Sequence, residues 1–162
     1  MTFDIHSLLV ALMINLITIA VALPAVMGKV NAAARQAQWS MGMQAAAWVA
    51  LLASGQTQPF SLADRLLSSV AMAGLAGSLA LIGSAFDLWC GREGHRKLML
   101  VAIVLVVGYS IGFDSYPFRV GWANGLLALQ LGWVAASVSR SPVLPAGRWR
   151  WLLVLGLVAQ WW

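Results

Sequence analysis

The chain carries few side chains that can do acid–base, nucleophilic or metal-binding chemistry. The acids and histidines are Asp4, His6, Asp64, Asp87, Glu93, His95 and Asp114. No group of them has the spacing of a metal site. The sequence also contains no phosphate-loop, nucleophile-elbow, zinc-protease or dinucleotide motif. We therefore predict no catalytic residue, no bound metal and no cofactor in this chain.

The acids fall at the ends of predicted helices or in the loops between them. None is placed at the middle of an apolar segment, where an ionisable group marks an ion or proton path. Asp64 and Asp114 share one predicted side with Arg65 and Arg119. These four residues either form ion pairs or are solvated loop charges.

The two histidines are predicted a membrane thickness apart, so they cannot share one haem or zinc ion. His6 is a candidate sensor of pH or of a ligand on the outer side. His95 adjoins Arg96 and Lys97 and is assigned to an inner basic group.

Amide side chains interrupt the apolar segments at Asn15, Gln44, Asn124 and Gln130. Such groups join neighbouring helices in a membrane, each contributing about 0.6–2 kcal/mol. The alternative is that Asn15, Asn124 and Gln130 line a pocket for a small ligand. The sequence leaves both possibilities open.

Small residues recur at four-residue spacing on two of the predicted helices. They are Ser69, Ala73 and Gly77 on one helix and Gly121 and Gly125 on another. Rows of this kind let helices approach closely. They predict a tight bundle and are compatible with a homodimer.

Composition decides the class of protein. Of 162 residues, 61% are apolar and 9% are charged, and the mean hydropathy is +0.83. Soluble domains are roughly 45–50% apolar and about 25% charged. A soluble globular domain and a disordered chain are therefore excluded in favour of a polytopic membrane protein, with the lipid bilayer as its partner. The single cysteine, Cys90, excludes an internal disulfide.

Six apolar segments predict a single all-α transmembrane domain over residues 1–162. The predicted spans are residues 6–27, 39–53, 62–89, 98–113, 118–139 and 149–162. Ser61 is predicted to cap the third helix, and Pro117 to lie in the first turn of the fifth. Tryptophans near predicted helix ends favour the headgroup region. They are Trp39, Trp89, Trp122, Trp149 and Trp151, whereas Trp48 and Trp133 are predicted to pack inside spans.

The basic residues predict the orientation. Loops after the first, third and fifth spans hold Lys29, Arg35, Arg92, Arg96, Lys97, Arg140, Arg148 and Arg150. Loops after the second and fourth hold only Arg65 and Arg119. Because cytoplasmic loops are enriched in Lys and Arg, we expect the N-terminus outside. The net charge of +5 is then explained by topology, and no nucleic-acid partner is predicted.

The last predicted span is short. Residues 149–162 would make a helix of about 21 Å at 1.5 Å per residue, against a hydrocarbon core of about 30 Å. We expect the sequence to stop inside its sixth helix; the alternative is an end at a thinned interface.

Three stretches resemble the N-terminal multi-pass region of bacterial membrane-bound GGDEF proteins, the diguanylate cyclases. They are FDIHSLL at residues 3–9, the segment from LADRLL to FDLWCGR at residues 62–92, and GYSIGFDSYPFRVGWAN at residues 108–124. The resemblance implies a sensory and anchoring region in the bacterial inner membrane, followed in a longer parent by a seventh span and a cyclase domain.

That cyclase would use GTP and Mg²⁺ to make cyclic di-GMP from two GTP molecules across a dimer. The GGDEF motif itself is absent from this sequence, so no catalytic or metal-binding residue of the family has a position here. Two other functions stay open from the residues alone. One is a structural or accessory subunit of a larger membrane complex, and the other is a small transporter or membrane enzyme.

Overall fold

The computed structural model describes residues 31–92 and 96–139, together with positions 7, 10, 11, 14, 15, 17–19, 21 and 22. The described positions between 7 and 22 are helical, and the two longer ranges contain helices and turns without a strand. The predicted all-helical class is thus confirmed over the described residues. The predicted span at residues 149–162 lies outside them.

Four helices have defined bounds, and each occupies a segment predicted to be helical. They are α1 (Ala32–Ser54), α2 (Leu62–Trp89), α3 (Arg96–Ile111) and α4 (Tyr116–Ser139). Helix α1 begins at Ala32 rather than at Trp39, because Asn31 caps it through a 2.8 Å bond from the Ala34 N–H to Asn31 Oδ1. Arg35 therefore lies in the first helical turn and not, as predicted, in a loop.

The breaks between helices have local causes. Ser61 caps α2 as predicted, with its Oγ accepting the Asp64 N–H at 3.1 Å. Cys90 ends α2 and is buried at 3% exposure. Gly91 follows with φ of +68°, a left-handed conformation that glycine adopts without strain. Pro117 lies in the first turn of α4, also as predicted.

Successive helices run antiparallel. We call the end where residues 55–61 join α1 to α2 and residues 112–115 join α3 to α4 the turn end. The opposite end, where α2 stops and α3 starts, is the basic end. Helix α2 is central, since it packs against α1, α3 and α4. Any residue placed on α2 is therefore close to a second helix.

The core between α2, α3 and α4 is built in three layers. From the basic end they are Ala80 with Leu98, Val134 and Val138; Ala76 with Ala102 and Leu105; and Tyr109 with Phe113 and Ala123. The fully buried side chains that α2 contributes, Ala76 and Ala80, are small, and the buried leucines and valines come from α3 and α4. The larger α2 side chains Met72 and Phe86 are partly buried and pack against the layers.

Much of the outer surface is apolar. On α3, Leu100, Ile103 and Ile111 are exposed at 61%, 59% and 78%. By length and composition, α2 is the described helix able to cross a membrane, with 28 residues. The other described helices do not meet the same test, so these residues yield one candidate span where the sequence predicted several. Helix α3, with 16 residues, is about 24 Å long at 1.5 Å per residue.

Candidate functional site

The turn end gathers four charged residues from three chain segments. Asp64 and Arg65 lie in the first turn of α2, Asp114 in the α3–α4 turn and Arg119 near the start of α4. Arg65 Nη2 donates to both Asp114 carboxylate oxygens, at 3.2 and 3.3 Å. Their side chains are 42% and 83% exposed. The ion pair links α2 to the α3–α4 turn at the surface.

Asp64 is held by the α1–α2 connection. Its Oδ1 accepts from Ser54 Oγ at 2.6 Å and from Ser68 Oγ at 3.1 Å. Its Oδ2 accepts the Phe60 N–H at 3.0 Å, and Phe60 has a positive φ of 61°. Since both carboxylate oxygens accept hydrogen bonds, Asp64 fixes the turn between α1 and α2. It is therefore not a solvated loop charge, which was one of the two possibilities that the sequence left open.

Arg119 is surrounded by aromatic rings. Its guanidinium carbon lies 4.1 Å from the centroid of Phe113, 5.8 Å from Tyr109, 5.8 Å from Tyr116 and 5.9 Å from Phe60. We call these four rings the aromatic cage. The Arg119 Nε is buried and has no hydrogen-bond partner among the described residues. Cation–π attraction thus holds the charge in place.

Sequence reasoning did not find the aromatic cage. The available signal was the i, i+4 spacing of Tyr109 and Phe113, which would put both rings on one face of a continuous helix; α3 ends at Ile111, and Phe113 lies in the turn that follows. Tyr116 and Arg119 are one helical turn apart on α4. Phe60 lies in another loop, and only the tertiary fold brings it near the others.

The basic end has its own polar cluster. Asp87 is 1% exposed, and Arg92 Nη2 lies 3.2 Å from its Oδ1. Arg92 Nη2 also donates to the Ser137 carbonyl at 3.0 Å, so one guanidinium joins the ends of α2 and α4. Lys97 Nζ lies 5.7 Å from the Trp133 ring centroid. Glu93 and His95 lie outside the described residues.

The predicted amides do not form one group. Gln130 is fully buried, and its Nε2 donates to the Ala76 carbonyl at 3.2 Å and to the Leu98 carbonyl at 3.1 Å. It therefore joins α4 to α2 and α3. Asn124 is exposed on α4, and the structure does not bring it to Gln130. Gln44 is half-buried on α1, and Asn15 is helical and exposed.

The predicted small-residue rows differ in what they contact. Ser69 accepts a bond from Ser110 Oγ at 3.1 Å, and a Cβ at Gly77 would lie 2.9 Å from Met43 Sδ. Ala73, on the same row, is exposed. Added Cβ atoms at Gly121 and Gly125 would meet nothing within 4 Å among the described residues. The α2 row is partly used inside the bundle, and the α4 pair faces outward.

The described residues contain no cluster of three or more His, Cys, Asp or Glu side chains able to hold a metal ion. Comparison with protein families, curated proteins and solved structures finds nothing that matches this chain.

Proposed function

We propose that this chain is the membrane-embedded sensory and anchoring region of a signalling protein, with the turn end outside and the basic end in the cytoplasm. The observation that carries the proposal is the separation of charge into two layers. On α2 the charged residues are Asp64 and Arg65 at one end and Asp87 at the other. The segment between Arg65 and Asp87 is about 33 Å long at 1.5 Å per residue, which matches a hydrocarbon core of about 30 Å.

The exposed surface between the two layers supports a lipid-facing position. Val104 and Val107 on α3, Leu129 on α4 and Val70 on α2 are 50%, 52%, 52% and 60% exposed. A soluble protein rarely exposes large apolar side chains on several neighbouring helices. In this proposal α1, α3 and α4 also cross the bilayer, and the predicted spans at 6–27 and 149–162 complete a six-span bundle.

The signalling role rests on the resemblance to the input region of membrane-bound diguanylate cyclases. A signal at the turn end would bias two packings of the helices. The change would pass through the last predicted helix to a cytoplasmic domain that makes cyclic di-GMP from two GTP molecules. GTP and Mg²⁺ would bind there, and a homodimer would bring two such domains together.

The open reading frame beyond the codon for Trp162 tests the signalling role. We expect a further apolar span followed by a GGDEF motif in frame. A frame that continues into a different domain, or that stops without this motif, would refute the cyclase assignment.

Thiol labelling tests the membrane position separately. In inside-out and right-side-out vesicles, a membrane-impermeant maleimide should label Arg35→Cys and Ser115→Cys from opposite faces. Val104→Cys is the control, because its side chain is exposed but would face lipid and stay unlabelled from both sides. Rapid labelling of Val104→Cys, or labelling of both end positions from one face, would contradict the proposed topology.

An accessory subunit of a larger membrane complex is the second candidate, favoured by the outward-facing pair Gly121 and Gly125. Small residues on an open helix face allow another helix to approach. The native mass of the detergent-extracted assembly separates the two functions. A stable complex with other chains supports the accessory role, and a homodimer supports the sensory one.

A further inference from the structure

We propose that Arg119 and its aromatic cage form a binding site for a small oxyanion, a carboxylate or a phosphate, at the turn end. This deepens the proposed function, on which it rests only for the role of the bound anion as a signal. The binding itself follows from contacts within the described residues.

The aromatic cage fixes the Arg119 guanidinium and buries its Nε, so the terminal Nη groups are the donors that a ligand could reach. A ring face attracts the cation electrostatically, and the shortest such distance is 4.1 Å, to Phe113. The planar guanidinium has five N–H donors that match an oxyanion in bidentate geometry. The ion pairs among the described residues join Arg65 to Asp114 and Arg92 to Asp87, so neither engages Arg119.

A second guanidinium contacts the same ring. The Arg65 guanidinium carbon lies 5.1 Å from the Phe113 centroid, so one phenyl ring bears two like charges. Two like charges beside one ring strengthen the attraction of this end of the bundle for an anion. Asp114 supplies negative charge to Arg65 from an exposed turn, where the pairing is weak and easily exchanged for another anion.

The neighbouring acid does not neutralise Arg119 by direct contact. Asp64 attracts Arg119 electrostatically, but its carboxylate accepts bonds from Ser54, Ser68 and the Phe60 N–H. Its negative charge repels any part of an anion that extends toward Asp64. The site therefore suits a compact anion that approaches from the turn end.

A bound anion would act on the relative position of two helices. Arg119 lies near the start of α4 and Arg65 near the start of α2, so an anion held by both arginines would draw the two helix ends together. Such a contact is what a sensory bundle needs to favour one packing over another.

The experiment is calorimetric titration of the full chain in maltoside detergent, at constant ionic strength, with sodium succinate and with inorganic phosphate. A separate arm compares nanodiscs of phosphatidylcholine with nanodiscs containing phosphatidylglycerol, read by thermal unfolding. Saturable binding of a free anion assigns a solute as the ligand. Stabilisation by phosphatidylglycerol without binding of either free anion assigns a lipid headgroup.

The matched variants are Arg119→Gln, Arg119→Lys and Lys97→Gln. We expect Arg119→Gln to weaken binding at least about tenfold. Arg119→Lys keeps the positive charge but cannot donate two parallel hydrogen bonds to an oxyanion, so it should weaken binding by a smaller factor. Lys97→Gln removes a cation beside a ring at the opposite end and should leave binding unchanged. Circular dichroism checks that each variant is folded. If Arg119→Gln does not fold, Arg119→Lys serves as the test.

Three results would overturn the site. The first is that the wild-type protein binds neither free anion below roughly 10 mM and is not stabilised by phosphatidylglycerol. The second is that folded Arg119 variants bind as tightly as the wild type. The third is that Lys97→Gln weakens binding as much as Arg119→Gln does. None of these depends on the reading frame or on vesicle labelling, so failure of the site and failure of the proposed function are distinguishable.

Discussion

The two helical hairpins of the described bundle are held together in different ways. In the α1–α2 hairpin, small side chains bring the backbones close, and Ser40 Oγ donates to the Ser78 carbonyl at 2.7 Å. A Cβ at Gly74 would lie 2.7 Å from the Ala47 Cβ and 3.4 Å from the Met43 carbonyl oxygen. In the α3–α4 hairpin, aromatic rings lie on glycines instead, with Trp122 over Gly108 and Phe118 over Gly112.

The difference determines what must move when a side chain is added. On α2 the nearest atom is the Ala47 Cβ, which is fixed to the α1 backbone and cannot rotate away, so the helices must separate. On α3 the nearest atoms belong to a ring that can rotate, at the loss of the 3.1 Å bond from Trp122 Nε1 to the Leu105 carbonyl. Both hairpins use glycine for close approach, but only the first uses it for backbone contact.

The largest effect is expected for Gly74→Val in the α1–α2 hairpin. The valine Cβ would lie 2.7 Å from the Ala47 Cβ, and two methyl groups are added beyond it. We expect a loss of about 3 kcal/mol in the free energy of unfolding, at the upper end for overpacked cores. Unfolding in mixed detergent, followed by circular dichroism, measures it. Gly125→Val is the matched control on an open face, and an equal loss in both variants would contradict the assigned packing.

A smaller loss is expected for Gly108→Ala in the α3–α4 hairpin. The methyl group displaces the Trp122 ring and its hydrogen bond, for about 2 kcal/mol of destabilisation. A double-mutant cycle with Trp122→Leu tests the cause. The two changes should be less than additive, because the ring that clashes is gone. Strict additivity would show that the indole does not lie on Gly108.

The link between the hairpins is tested by Gln130→Leu. The variant loses the hydrogen bonds to the Ala76 and Leu98 carbonyls. Both carbonyls lie within helices and keep their helical partners, so we expect only about 1 kcal/mol of destabilisation. The same detergent titration measures it, with Asn124→Leu as the exposed control. A loss as large as that of Gly74→Val would mean that polar contacts, and not packing, hold the hairpins together.

The smallest effect is expected for Asp114→Asn. Its ion pair with Arg65 also joins the hairpins, but Asp114 is 83% exposed, and exposed pairs contribute about 0.2–1 kcal/mol. We expect about 0.5 kcal/mol at low salt and no measurable difference at high salt. A salt-independent loss would indicate that Asp114 has a buried role.

Helix positions were predictable because apolar length, breakers and caps are local. Ser61 and Pro117 marked helix starts that the structure contains, and residues 62–89 form α2 with the predicted bounds. The start of α1 was missed because Arg35, Gln36 and Gln38 interrupt the alanines of its first two turns, so the apolar pattern starts only at Trp39.

The partners of each side chain were less predictable, because they depend on which helix face meets which neighbour. Trp122 was assigned to the headgroup region by its place near a helix end, yet it packs on Gly108 inside a hairpin. Gly121 and Gly125 have the same spacing as Ser69, Ala73 and Gly77, but a Cβ added at either glycine would meet nothing within 4 Å among the described residues. Spacing identifies a face and does not identify its partner. The aromatic cage needed residues from two turns and two helices, which no local pattern reports.

The reactivity of Cys90 can report how often the C-terminal end of α2 opens. It is the one cysteine of the sequence, and it lies buried where α2 ends. Its thiol can react with a reagent in solution only when that helix end opens, so its labelling rate reports the free energy of local opening. Cysteines placed on the exposed surface for topology experiments would react on a faster timescale. The native thiol can therefore stay in place as an internal reference for the folded state.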